Sequence, residues 1–252
     1  LIILEQFVCL SPGFYLKTIL SLYSTITDAV ARAPPHLRSA AYVTISCFAE
    51  ISPKLFTEMI AEELFESTES LIRLYPKDIV RSLVMLMKSI PEWMKGKIND
   101  LKKFVIDLFE MNLMHHSSSV PVSITNPTNS SNVPPKEFSS RIIEDSALTL
   151  LGNILSIFGR DALPLDSDLI TKMVSLKLTE SYIFCFTEIS KIENAIPIEI
   201  FKKNIVSKIQ IELKGKNADL ALKFIAALPS TLFENNTGSL KVIDWIQSAY
   251  VS

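Results

Sequence analysis

The 252-residue sequence predicts an all-α protein built from stacked helix pairs. Three observations carry that expectation. Arg141–Pro164, RIIEDSALTLLGNILSIFGRDALP, reads as a long apolar helix, a glycine, a short link and a proline. Prolines recur between helical segments at spacings near one common length. No segment alternates apolar and polar residues for long enough to demand a sheet.

The Arg141–Pro164 stretch sets the pattern. Ile143, Ala147, Leu150, Ile154 and Ile157 recur at steps of three and four, the spacing of one helical face. Leu148, Leu151, Leu155 and Phe158 form a second stripe beside it. A helix apolar over so much of its circumference needs cover on two sides. Gly159 is a natural stop, because glycine takes the left-handed C-terminal position without steric cost. Pro164 is placed to open the following helix, where a missing N–H costs nothing.

Other elements follow in order. Leu1–Leu10 and Phe14–Arg32 read as helices, and Pro34-Pro35 breaks the second. Leu37–Ile51, Lys54–Leu74, Lys77–Ile90 and Glu92–Met114 come next. Ser139–Phe158, Asp166–Leu178, Glu180–Ile192, Glu199–Leu213, Asn217–Leu228 and Gly238–Tyr250 complete the series. The corner Leu10-Ser11-Pro12 reappears as Ile51-Ser52-Pro53. Pro12, Pro53, Pro91, Pro164, Pro197 and Pro229 each separate helical segments, at spacings of 41, 38, 73, 33 and 32 residues. The long interval holds SSSVPVSITNPTNSSNVPP, too poor in apolar surface to order itself. With that insert allowed for, a helix pair of roughly 35–45 residues repeats, as in HEAT and armadillo proteins. The expected architecture is one right-handed α-solenoid of about five to six such pairs. Residues 1–114 and 138–252 form the repeats, and 115–137 an inserted flexible loop. The chain has the look of a piece of something longer.

Composition narrows the function classes. Net charge is −2, which gives no global electrostatic case for nucleic acid. Mean hydropathy is +0.30, yet Arg73, Lys77, Asp78, Arg81 and Lys88 punctuate the apolar stretch Leu71–Ile90. A bilayer span needs about 20 nearly uninterrupted apolar residues, and none is expected. Cys9, Cys47 and Cys185 are far apart and set among apolar residues, as in reduced thiols of a cytoplasmic or nuclear protein.

Chemistry is sparse. His115 and His116 are neighbours near a helix end and point different ways, a poor chelate. His36 lies beside a proline pair. Glu58, Glu62, Glu63, Glu66 and Glu69 crowd one helix and read as its solvated face. No nucleophile elbow, zinc helix or phosphate-cradling glycine loop is present, so a non-enzymatic chain without cofactor, metal or small-molecule substrate is expected. Two helices carry basic faces instead. Lys95, Lys97, Lys102 and Lys103 lie on one, and Lys202, Lys203 and Lys208 on the other. In a solenoid the second helix of each pair lines the concave binding surface, so these lysines are the candidate partner-binding residues. Ordinary solubilising charge is the alternative reading. Trp93 beside the first cluster is a candidate anchor or a packing residue.

Ser140–Ser181 resembles the middle of the cullin-associated, neddylation-dissociated family, also called the TATA-binding-protein-interacting family. Glu144, Ala147, Gly152, Gly159, Asp161, Leu163, Asp168 and Leu169 occupy the comparable places. The similarity continues through 180–213 to Asn217, Leu220 and Leu222, and upstream through Ser52-Pro53 and Phe56. The resemblance implies a clamp-like HEAT solenoid around an unmodified cullin and its RING partner. Such a clamp hides the cullin's modification lysine and exchanges substrate-receptor modules on the ubiquitin ligase. Importin-β-type transport receptors, which bind cargo and Ran, share the same repeat physics and remain the alternative.

Overall fold

Proline starts each helical rod in the N-terminal part of the structure. The computed structural model describes residues 34–117, 136–193, 195–197 and 200–229. Pro35, Pro53, Pro76 and Pro91 all stand at the start of a helix, where the fixed φ is already helical and no N–H is lost. Among the described residues every regular element is helical. The all-α expectation holds at that level. The helices expected over 1–32 and 238–250, with Pro12 and Cys9, lie outside the described residues, as does the inserted segment 118–135.

The chain forms two compact units, Leu1–Leu150 and Leu151–Ser252. In the first, α1 (Pro35–Ser46) and α2 (Phe48–Ile51) make one rod. The single helix expected there is interrupted at Cys47. Thr44, Ser46 and Cys47 all turn their side chains back onto carbonyls four residues earlier, which loosens the ladder at that point. The rod expected over Lys54–Leu74 is likewise three short helices, α3 (Pro53–Met59), α4 (Ala61–Glu66) and α5 (Thr68–Ile72). One break falls at Ile60, whose φ of −125° leaves the helical range. At the other, Ser67 donates its hydroxyl to Leu64 O at 2.7 Å. The third rod is α6 (Pro76–Ser89), strongly amphipathic, with Ile79, Val80, Leu83, Leu86 and Met87 buried. The fourth is α7 (Pro91–Lys95) and α8 (Ile98–Ser117), joined through Gly96 and Lys97. Residues 115–117 therefore belong to a helix rather than to the inserted loop, and so do 136 and 137 at its far end.

Alternate rods pack together. Both α1 and α2 lie against α6, and α5 touches α1, α6 and α8. First and third rods thus form one layer, second and fourth the other. Tyr42, fully buried, ties first rod to second through a 2.7 Å bond to the Thr68 hydroxyl. Burial raises its phenol far above the ordinary range, with the Thr68 bond acting the other way.

The long helix α9 (Lys136–Phe158) carries the two apolar stripes. Of their nine residues all but the half-buried Ile157 are buried. Gly159 has φ +53° and ends the helix, leading into a 3-10 turn, Gly159–Ala162. Pro164 does not open the next helix as expected. It sits in an extended link, and Asp166 caps α10 (Ser167–Ser175) by accepting from the Asp168 and Leu169 N–H groups at 2.7 and 3.4 Å. A carboxylate there satisfies two amide donors that a proline start would leave open.

Thr179 caps α11 (Glu180–Ser190) in the same manner, accepting from Tyr182 N at 3.2 Å. The helix expected over Glu199–Leu213 begins as a π-helical stretch, Phe201–Val206, and continues as α12 (Ser207–Leu213). It packs on α10 and on α13 (Ala218–Ala227), and α13 packs on α11. Tyr182, Phe186 and Phe224 form the aromatic core, the first two stacked at 4.4 Å and both edge-on to Phe224. Gly152 of α9 meets α11 so closely that a Cβ there would lie 2.6 Å from the Phe184 ring.

One expectation about membranes is corrected. Ser140–Ala162 is long and apolar enough to cross a bilayer by length and composition. The alternation of its two buried stripes hid this, because the helix was read only as a core element. Its uncharged run, Ser146–Gly159, is bounded by Asp145 and Arg160. Some 56% of the helix's most apolar window is buried within the fold.

Candidate functional site

The two basic faces have different fates. Lys97 follows α7 and turns inward. Its ammonium lies 5.2 Å from the Trp93 ring centre and 5.5 Å from that of Phe65, and reaches Glu62 at 2.6 Å. Only 23% of the side chain is exposed. Lys103 is exposed and pairs with Glu69 at 3.5 Å. Lys95 is exposed, Lys102 is half-buried, and both have interaction partners within the chain. Arg73 continues the series, reaching Asp107 at 3.3 Å. Glutamates of the second rod thus face lysines of the fourth, and the first basic face is largely neutralised by its neighbour.

In the second unit Lys208 also points inward. Its ammonium donates to Val174 O at 2.7 Å and to Leu176 O, and lies 4.6 Å from the Tyr182 ring centre. It closes carbonyls at the C-terminal end of α10, where a positive charge is favoured by the helix dipole. Burial lowers its pKa to about 8, with Glu212 pulling in the opposite direction. Lys203 is exposed, with no ion pair among the described residues. The Lys202 side chain lies outside the described residues. The structure therefore leaves Lys203 as the clearest outward-facing member of the set, and gives Lys97 and Lys208 internal work.

Reading the sequence alone missed the ionic partners. The signal was present: the pairs are separated by 34 and 35 residues, so opposite charges recurring at such an interval are the pattern to seek. A similar interval, 33 residues, links Arg160 to Glu193 at 3.0 Å, a pair 75% exposed on each side and worth little energy.

A second feature went unread. A shallow groove of about 350 Å³ opens between the Pro53 and Pro91 corners. Pro53 and Thr57 form one wall, and Ile90, Pro91 and Trp93 the other. Lys54, Glu58 and Glu92 stand exposed at its rim, none with an ion pair among the described residues. For Trp93 the packing reading holds. It packs edge-on against Phe65 at 5.7 Å and presents part of its ring to the groove.

Among the described residues no three His, Cys, Asp or Glu side chains converge as metal ligands. The His115 and His116 side chains lie outside the described residues. Neither Cys47 nor Cys185 forms a disulfide among the described residues, and burial drives the Cys185 thiol far above its ordinary range. No protein-family model, curated protein or solved structure matches the chain.

Proposed function

We propose that the chain is part of a right-handed HEAT-type solenoid acting as a non-enzymatic protein-binding scaffold. The supporting observation is the register of contacts between helix pairs. Glu62–Lys97, Arg73–Asp107, Arg160–Glu193 and Val174–Lys208 all join positions 33 to 35 apart. Contacts recurring at a near-constant sequence interval are what a stack of equivalent helix pairs produces, each pair touching only its neighbours. Such a stack offers extended surface rather than a single deep pocket, and surface of that kind suits a large protein partner.

The partner proposed is a cullin–RING complex without its ubiquitin-like modification. Support for that choice is the resemblance carried by residues 140–181 and 216–228. In this reading the scaffold sequesters the unmodified ligase in cytoplasm or nucleus and promotes exchange of substrate-receptor modules. Lys203 lies on the face that meets the partner, with Lys202 beside it in sequence.

A pulldown with the full chain tests this directly. Selective capture of the unmodified complex is expected, with weaker capture by Lys203→Glu. Equal capture of modified and unmodified forms, or capture of neither, rejects the assignment. Nucleotide-dependent capture of Ran instead would move the chain to the transport-receptor class.

A further inference from the structure

We propose that the groove between the Pro53 and Pro91 corners receives an arginine side chain from an extended segment of a protein partner. The inference deepens the scaffold reading and rests on it for the class of partner. The starting point is how the glutamates of these two rods are matched. Glu62 and Glu69 of the second rod are matched by Lys97 and Lys103 of the fourth. One turn nearer the corner the pattern stops. Glu58 and Glu92 face the groove from the same two rods, and no cation of the described chain pairs with either.

Charge, shape and aromatic surface agree on one occupant. Pro53, Ile90 and Pro91 offer an apolar wall suited to an aliphatic stem. Trp93 supplies a ring on which a cation can stack, within roughly 6 Å of its centre. Lys97 already uses this ring but is not among the groove residues, so it does not fill the groove. A planar guanidinium can stack and bind a carboxylate through two parallel N–H groups at once, which an ammonium cannot. The segment must be extended, because the groove is shallow and helical side chains would splay across it. Lys54 is the one opposing charge at the rim, and its sign makes a prediction of its own.

The test is a titration of the full chain with fluorescein-labelled Gly-Pro-Arg-Pro-Gly at low ionic strength. Peptides carrying glutamate or citrulline in place of arginine are the comparison. Saturable binding of the arginine peptide alone is expected. Glu58→Lys and Glu92→Lys should each weaken it by roughly tenfold, while Lys54→Glu tightens it several-fold and Lys177→Glu leaves it unchanged. Absence of saturable binding, equal binding of the citrulline or glutamate peptide, or indifference to the groove substitutions overturns the proposal. So does self-association abolished by Glu92→Lys, which would give the groove to a second copy of this chain. A chain that captures the cullin complex but ignores the peptide loses only this inference; one that binds the peptide but no cullin complex loses only the earlier assignment.

Discussion

Lys97 and Lys208 show how a long cationic side chain becomes structural. Each lays its methylene stem along apolar surface and delivers its nitrogen to a fixed acceptor set. For Lys97 these are one carboxylate and two rings, and for Lys208 two backbone carbonyls and one ring. Deprotonation of Lys208 need not break its bonds, because a neutral amine keeps two N–H donors for two carbonyls. Burial lowers its folded pKa from 10.5 to about 8. Between those values the unfolded chain holds more protons at this position than the folded one, so raising pH through that window favours folding. Below about pH 8 the ammonium is charged in both states, and its partial burial weighs against the fold. Urea denaturation of the wild type and Lys208→Met at pH 7.5 and 10 isolates the effect. The stability difference, wild type minus variant, should grow with pH. A constant or shrinking difference would show that the carbonyls hold the ammonium charged.

At the scale of elements, helix α9 was the most legible part of the chain and α3–α5 the least. Its two stripes at steps of three and four predicted which faces are buried, and Gly159 predicted where it stops. The breaks at Cys47, Ile60 and Ser67 were not legible, because the apolar period runs straight through them; side-chain bonds onto backbone carbonyls disturb the ladder at Cys47 and Ser67. Pro164 misled for a related reason. Proline marks a link reliably, but Asp166 offered the amides a better cap. Gly152 was read only as part of a resemblance, and the structure gives its physical role. A Cβ there would stand 2.6 Å from the Phe184 ring and 3.2 Å from Cys185 Cα, so α9 and α11 touch through the missing side chain. Phe184 can swing aside, whereas the Cys185 backbone is fixed within α11. Gly152→Val should therefore destabilise the fold by about 2 kcal/mol despite removing a mid-helix glycine. Chemical denaturation reads this, together with faster amide exchange along Glu180–Ser190. A loss below about 0.5 kcal/mol would mean that the helices separate easily.

Across the whole molecule, the candidate site was less legible than the fold because a charge's partner lies 33 to 35 positions away. The sequence shows five glutamates on one helix and four lysines near another, and each set looks like an unmatched face until the rods are stacked. Once they are, Glu62 and Glu69 are matched by Lys97 and Lys103, and the informative positions on the two candidate surfaces are Lys203, Glu58 and Glu92, none with an ion pair among the described residues. The same stacking governs how the chain unfolds. The bond from Lys223 to Glu180 joins positions 43 apart, and those of Arg73, Lys97 and Arg160 join positions 33 to 35 apart. In the proposed solenoid, stability is a sum of repeat and nearest-neighbour terms rather than the property of one shared core. A urea transition followed by far-UV circular dichroism should accordingly be broad, with an apparent m-value well below the roughly 3 kcal/mol/M reached when a large domain opens as one unit. In a Trp245→Phe background, fluorescence from Trp93 reports on the first unit alone and should not coincide with the dichroism curve. Coincident transitions with a full m-value would show instead that the helix pairs melt together, and that coupling extends beyond nearest neighbours.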